Sequence, residues 1–240
     1  MTGAFLNAMA ILFGGLLGLA RREPLSIRTQ DFLRRALGVA TVFIGLRLVW
    51  LHVNGTFSFC TKQVFIALLA ITLGHWTGRL LRLQKISNRL GRRAGDAISA
   101  AQSKLPRAGV VGFVTCTILF CAAPLGILGA VTDGLAGDFY LLAVKAVMDG
   151  LATASFVKLF GWPAALAAFP VYAFLGALTL ACQSGVQPWL EAHGLTDAVT
   201  VTGGFLACIV ALVIFEIRKI ELANYLPGLA LAPLLAWWLR

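Results

Sequence analysis

The stretch RLLRLQKISNRLGRRAGDAISAAQSKLPR, residues 79–107, runs directly into AGVVGFVTCTILFCAAPLGILGAV, residues 108–131. The first holds eight Lys or Arg residues and the second holds no charge at all. A soluble fold has no reason to separate cations and apolar residues so sharply. A membrane protein does, because cytoplasmic links retain Lys and Arg while spans exclude them.

Working outward, eight apolar stretches stand at 3–20, 36–54, 63–78, 108–131, 139–157, 164–183, 199–215 and 223–239. The seven links between them carry five, one, eight, zero, one, zero and two Lys or Arg residues. Every high count falls on an odd-numbered link, so those links are expected to be cytoplasmic and both termini to face outward. Adding or dropping one span would destroy the alternation. Within 79–105, Leu83, Ile86, Leu90 and Ile98 recur at near-helical spacing, which predicts an amphipathic helix on the inner leaflet with membrane lipid as its partner.

Composition agrees. The chain has 240 residues, 59% hydrophobic and 12% charged, about half the charge of an ordinary soluble domain. Its net charge of +10 suits anionic inner-leaflet lipid. A nucleic-acid partner is not expected, since aromatic platforms and a basic groove on a soluble fold are both missing. Met1 and Thr2 lead straight into apolar sequence, so the first span is expected to stay in the mature protein. Five cysteines show no metal spacing, and His52, His75 and His193 share none either. Without a Ser–His–Asp set, a Walker loop or a dinucleotide fingerprint, neither an enzyme nor a cofactor is expected.

GLLG at 15–18 is followed by GVAT at 38–41, and GILG at 126–129 by GLAT at 150–153. The link after the first span carries five Arg residues, whereas 130–138 carries none and has Asp133 and Asp138. That sign change is what a second copy entering the membrane from the opposite side requires. The expected fold is therefore all-α: a polytopic bundle of about eight spans, with an inverted three-plus-three repeat and two extra helices. One membrane domain covers 1–240, with repeats at 1–78 and 108–183, a basic segment at 79–107 and C-terminal spans within 199–239. Inverted repeats are frequent in secondary transporters, with the site near the midplane.

The candidate site residues lie mostly in the fourth and fifth spans. Pro124, Gly126 and Gly129 either break a helix to form a site or let helices pack closely. Counting about 1.5 Å per residue puts Asp149 roughly 15 Å deep, and Lys145 lies one turn away. Each such group costs at least about 2.5 kcal/mol to insert. They form a structural pair at i,i+4 or part of an ion, proton or substrate path, and Thr153 continues their face. Asp133 and Asp138 cap helix ends or attract cations to an outer vestibule. Asn7 and Asn224 are candidates for hydrogen bonds between helices. Arg47 lies deep in the second span with no partner that spacing identifies.

The segments FLNAMAILFGGLLG (5–18), FCAAPLGILGAVTDGLAGD (120–138), AVKAVMDG (143–150), VTGGFL (201–206) and NYLPGLALAPLLA (224–236) resemble the YdfK/YqgA-like family. These are bacterial inner-membrane proteins grouped as a domain of unknown function. By that resemblance Asn7, Gly129, Asp133, Gly134, Gly137, Asp138, Lys145 and Asp149 occupy the family's motif positions, and Pro124 departs from the small or Met-like residue expected there. The resemblance implies location and topology and supplies no activity. The sequence reading is a transporter or permease for a small solute or ion, with a homodimer formed through small-residue faces. The alternative is a non-transporting membrane scaffold or regulator. Reporter fusions should place the segment around Arg89 in the cytoplasm and both termini outside. An exterior signal at Arg89 would overturn the eight-crossing topology.

Overall fold

The computed structural model describes residues 1–21, 26–102, 108–218 and 220–239. Arg22, Lys104, Arg107, Lys219 and Arg240 of the charge count lie outside them. The helices are α1 (Thr2–Ala20), α2 (Ile27–His52), α3 (Phe57–Leu80), α4 (Leu83–Gln102), α5 (Ala108–Ala122), α6 (Pro124–Ala136), α7 (Tyr140–Phe160), α8 (Ala168–Ala181), α9 (Gln187–Ala192), α10 (Thr196–Ile214) and α11 (Pro227–Trp238). Short 3-10 turns at Trp162–Ala167 and Leu222–Tyr225 lead into α8 and α11, and a π turn at Cys182–Val186 joins α8 to α9. No strand occurs among the described residues.

Five helical runs are long and apolar enough to cross a membrane: α1, α3, α7, the run Trp162–Ala192, and α10. A sixth is obtained if α5 and α6, bent by 57° at their junction, are taken as one span. Two of the eight expected spans, corresponding to α2 and α11, are not among them. Large apolar side chains cover the outside, with Phe13 58%, Leu16 62%, Phe43 67% and Phe65 57% exposed. Such a surface is a liability in water and an ordinary lipid-facing coat in a bilayer.

Several boundaries differ from the sequence expectation, each for a local reason. The fourth span is broken at Ala123, because Pro124 opens α6 where no amide donor is needed. The sixth continues beyond Gln183, because Pro188 falls in the first turn of α9, where the π turn has already shifted the hydrogen-bond register. Helices α2, α3 and α7 run past their apolar stretches, so Arg28, Arg34, Arg35, Lys62 and Lys158 are helical and not in loops. The amphipathic α4 is present. Of the expected face, Leu83, Leu90 and Ile98 are partly buried, with α5 as the main neighbour of the helix, while Ile86 is 52% exposed.

Three helix pairs make up much of the body: α1 with α7, α2 with α10, and α3 with α11. Each closes on backbone. A Cβ at Gly14 would lie 2.0 Å from the Gly150 carbonyl oxygen, one at Gly45 2.7 Å from that of Gly204, and one at Gly74 2.5 Å from Gly228 N. The same contacts fix direction. Gly3 meets Leu142 and Gly18 meets Ala154, so α1 and α7 are parallel. Gly38 meets Phe215 while Gly45 meets Gly204, so α2 and α10 are antiparallel, as are α3 and α11 through Gly74–Gly228 and Gly78–Asn224. One end of the bundle thereby collects Arg21 and Lys158, which share a cavity, the Arg34–Glu216 ion pair at 2.6 Å, and Arg79 with Arg218. An exact inverted repeat would seat α2 against α6 as α1 seats against α7. Instead α2 packs on α10, and α1 and α6 both pack on α7.

Gly14→Val should force α1 off α7 and lower the thermal midpoint of the protein in detergent by many degrees. Gly91→Ala on α4, where a Cβ meets nothing within 4 Å, should stabilise by about 0.5–1 kcal/mol from helix propensity. Equal midpoints for the two variants would refute the close-packing account.

Candidate functional site

Helices α1, α6 and α7 meet around Lys145 and Asp149. Lys145 is 1% exposed, Asp149 7% and Asn7 0%. The i,i+4 spacing on α7 brings the Lys145 ammonium onto Asp149 Oδ2 as a buried ion pair. From α1, Asn7 Nδ2 donates to that same oxygen at 3.1 Å. One carboxylate oxygen therefore takes both donors. The other end of the Asn7 amide, Oδ1, is buried and has no partner, which is costly in a low-dielectric interior.

The glycines make room for this charge. A Cβ at Gly126 would stand 2.6 Å from Lys145 Cε, and one at Gly129 2.9 Å from Leu142. Pro124 starts α6 just before them, so the break and the cleared space are adjacent. On the α5 side, Lys145 Nζ lies 5.7 Å from the centroid of the Phe120 ring. Thr153 is fully buried, and its hydroxyl donates to the Asp149 carbonyl at 2.7 Å. It continues the face as expected, with its own donor occupied. An apolar cavity of about 430 Å³ lies behind the break, lined by Cys121, Pro124 and Ile127 among others; a second of about 340 Å³ runs along the seam of α1 with the second half of α7. Neither Lys145 nor Asp149 lines either cavity.

Of the remaining candidates, Asp133, Asp138 and Arg47 sit at the opposite end of the bundle from Arg21 and Lys158, and Asn224 sits at the same end as that pair. Asp133 accepts from Gly3 N at 3.3 Å, and the Met1 amino nitrogen is 3.4 Å from the same oxygen. It thus caps the first turn of α1 across space, where sequence reasoning placed it at the ends of its own pair of helices. Asp138 does serve α7, accepting from Tyr140 N at 3.2 Å, and it also takes Arg47 Nη1 at 2.6 Å. The Arg47 guanidinium lies 4.9 Å from the centroid of the Tyr140 ring. Arg47 therefore has its counter-charge, 91 residues away; no local pattern could have revealed it. Asn224 binds between elements: its Oδ1 accepts from Gln84 N at 3.0 Å, its amide donates to Glu221 at 2.6 Å, and Gln84 Oε1 accepts from Ala223 N at 3.2 Å. Among the described residues no group of three His, Cys, Asp or Glu side chains is placed to hold a metal ion.

The arrangement can hold or exchange one positive charge against one carboxylate in a dry interior, with a spare amide oxygen beside it. Breaking a buried pair by removing one partner costs roughly 3–5 kcal/mol, whereas replacing both with apolar residues is often neutral. Lys145→Met should therefore lower thermal stability sharply, and adding Asp149→Leu should restore much of it. A double variant no more stable than the single would refute charge pairing as the cause.

Residues 2–237 match the family described as "Protein of unknown function (DUF554)", and the chain belongs to it. It is similar to the "Uncharacterized membrane protein YdfK" of Bacillus subtilis (strain 168), 26% identical over 233 residues, covering 97% of this chain and 94% of that one. It is also similar to the "Uncharacterized protein YqgA" of Escherichia coli (strain K12), 29% identical over 238 residues, covering 98% and 97%. No solved structure matches. The family expected from the sequence is thus the family found.

Proposed function

Starting from membership of that membrane family, we propose that the chain is a multi-pass bacterial inner-membrane transporter or permease for a small solute or ion. Transport is passive or ion-coupled, and the chain is not an enzyme. The observation that carries the reading is the Asn7–Asp149–Lys145 cluster buried beside a broken helix. Intramembrane ionisable residues are expensive and normally mark a path or relay, and broken helices at membrane depth are tolerated where protein or a cavity satisfies them. In this reading the polypeptide crosses eight times, with both termini periplasmic and the cationic end cytoplasmic. The halves descend from an inverted repeat whose packing has since diverged, and two copies associate through small-residue faces.

The form described is closed. The Arg47–Asp138 pair and the Asp133–Gly3 bond tie the outer end, and Lys145, Asp149 and Asn7 are all buried. Alternation would require α1 or α6 to move against α7 and open the cluster to one side at a time. The same enclosure favours the second reading, a non-transporting scaffold or regulator in which Lys145–Asp149 is purely structural.

Comparing the metabolite and ion contents of cells with and without the protein separates the two. Transport predicts a defined difference that Asp149→Asn and the milder Asn7→Ala both abolish while inserting at the wild-type level. A difference that persists in both variants would remove the cluster from any path.

A further inference from the structure

At the cationic end, two adjoining cavities of about 450 and 470 Å³ share His75 and Arg79. One opens past Trp76 on α3; the other is lined by Arg218, Glu221 and Tyr225. The floor is rigid, because Gly74 and Gly78 bring α3 onto Gly228 and Asn224 at backbone contact. His75 packs on Tyr225 with ring centroids 4.5 Å apart and planes tilted by 32°, and its Nδ1 is buried without a partner. Among the described residues neither Arg79 nor Arg218 makes an ion pair. The carboxylate in the cleft, Glu221, is held by the Asn224 amide at 2.6 Å.

We propose that this cleft binds a phosphate-type oxyanion through Arg79 and Arg218, with His75 in its wall. Two guanidinium groups can offer paired donors matched to phosphate oxygens. The setting favours a phospholipid headgroup as the source. Trp76 and Leu80, 72% and 83% exposed, form the adjoining outer surface, and Trp is characteristic of the boundary between headgroups and acyl chains. Basic pockets at that level on the cytoplasmic side suit anionic headgroups. The site is separate from the Lys145–Asp149 cluster and does not depend on the transport reading.

The experiment uses the full chain in dodecyl maltoside, which carries no phosphate, with or without added phosphatidylglycerol, and in the same detergent titrated with inorganic phosphate. Binding is read from the thermal midpoint and from lipid retained in native mass spectrometry. Wild type should respond, and R79Q/R218Q should weaken the response about tenfold for each arginine lost. R89Q/R92Q, which removes equal charge from the exposed face of α4, should leave it intact. A response to phosphatidylglycerol alone identifies the headgroup as the source; a response to inorganic phosphate as well identifies a free anion. R79K/R218K, which keeps the charge and removes the forked donors, should fall between wild type and R79Q/R218Q and covers the case where the latter fails to fold. Wild type and R79Q/R218Q responding alike, wild type responding to neither probe, or R79K/R218K matching wild type would overturn the proposal.

Discussion

Hydrocarbon offers a helix no hydrophobic reason to leave lipid for another helix, so association depends on how closely backbones approach. Gly14 against Gly150, Gly45 against Gly204 and Gly74 against Gly228 meet that requirement on three separate pairs. Each contact also sets direction, one pair parallel and two antiparallel. Together with the connections that join successive helices, those directions bring Arg21, Arg34, Arg79, Lys158 and Arg218 to one end. The sequence reading grouped the same cations from the charge of the links.

The same constraint explains why the broken helix and the buried ion pair occur together. A lysine side chain pointing into a close-packed three-helix contact needs volume, and Gly126 supplies it by having no Cβ where Lys145 Cε passes. Pro124 ends the regular ladder two residues earlier, so the glycine-rich turn that follows is not asked to continue α5 in a straight line. Asn7 then adds a second hydrogen bond to the same oxygen from α1, and its own amide oxygen is left unpaired. The bonding of Asp149 thereby depends on the seating of α1 against α7.

Much of this was legible in the residues, for identifiable reasons. Lys145 and Asp149 were readable because i,i+4 spacing is local and ionisable groups are rare in apolar sequence. Asn7 was readable as a candidate by its polarity, although its partner, 142 residues away, was not. The break at Ala123 was an open alternative that Pro124 decided. Spacing defined the apolar face of α4 without naming what meets it, and the fold sets part of that face against α5. Arg47 illustrates the general limit. A charge inside a span demands a counter-charge, and only the packing of α2 beside the α6–α7 turn identifies it as Asp138.

The polar network at the cationic end links these points. Asn224 opens the last element, and a polar residue there could have been simple helix glue. In the fold it does three things: its oxygen takes the first free amide of α4, its amide holds Glu221, and its backbone lies against Gly78. Glu221 is thereby held at Asn224, in the same cleft as Arg79 and Arg218. The docking of α4 and the placement of the carboxylate lining that cleft therefore rest on a single side chain.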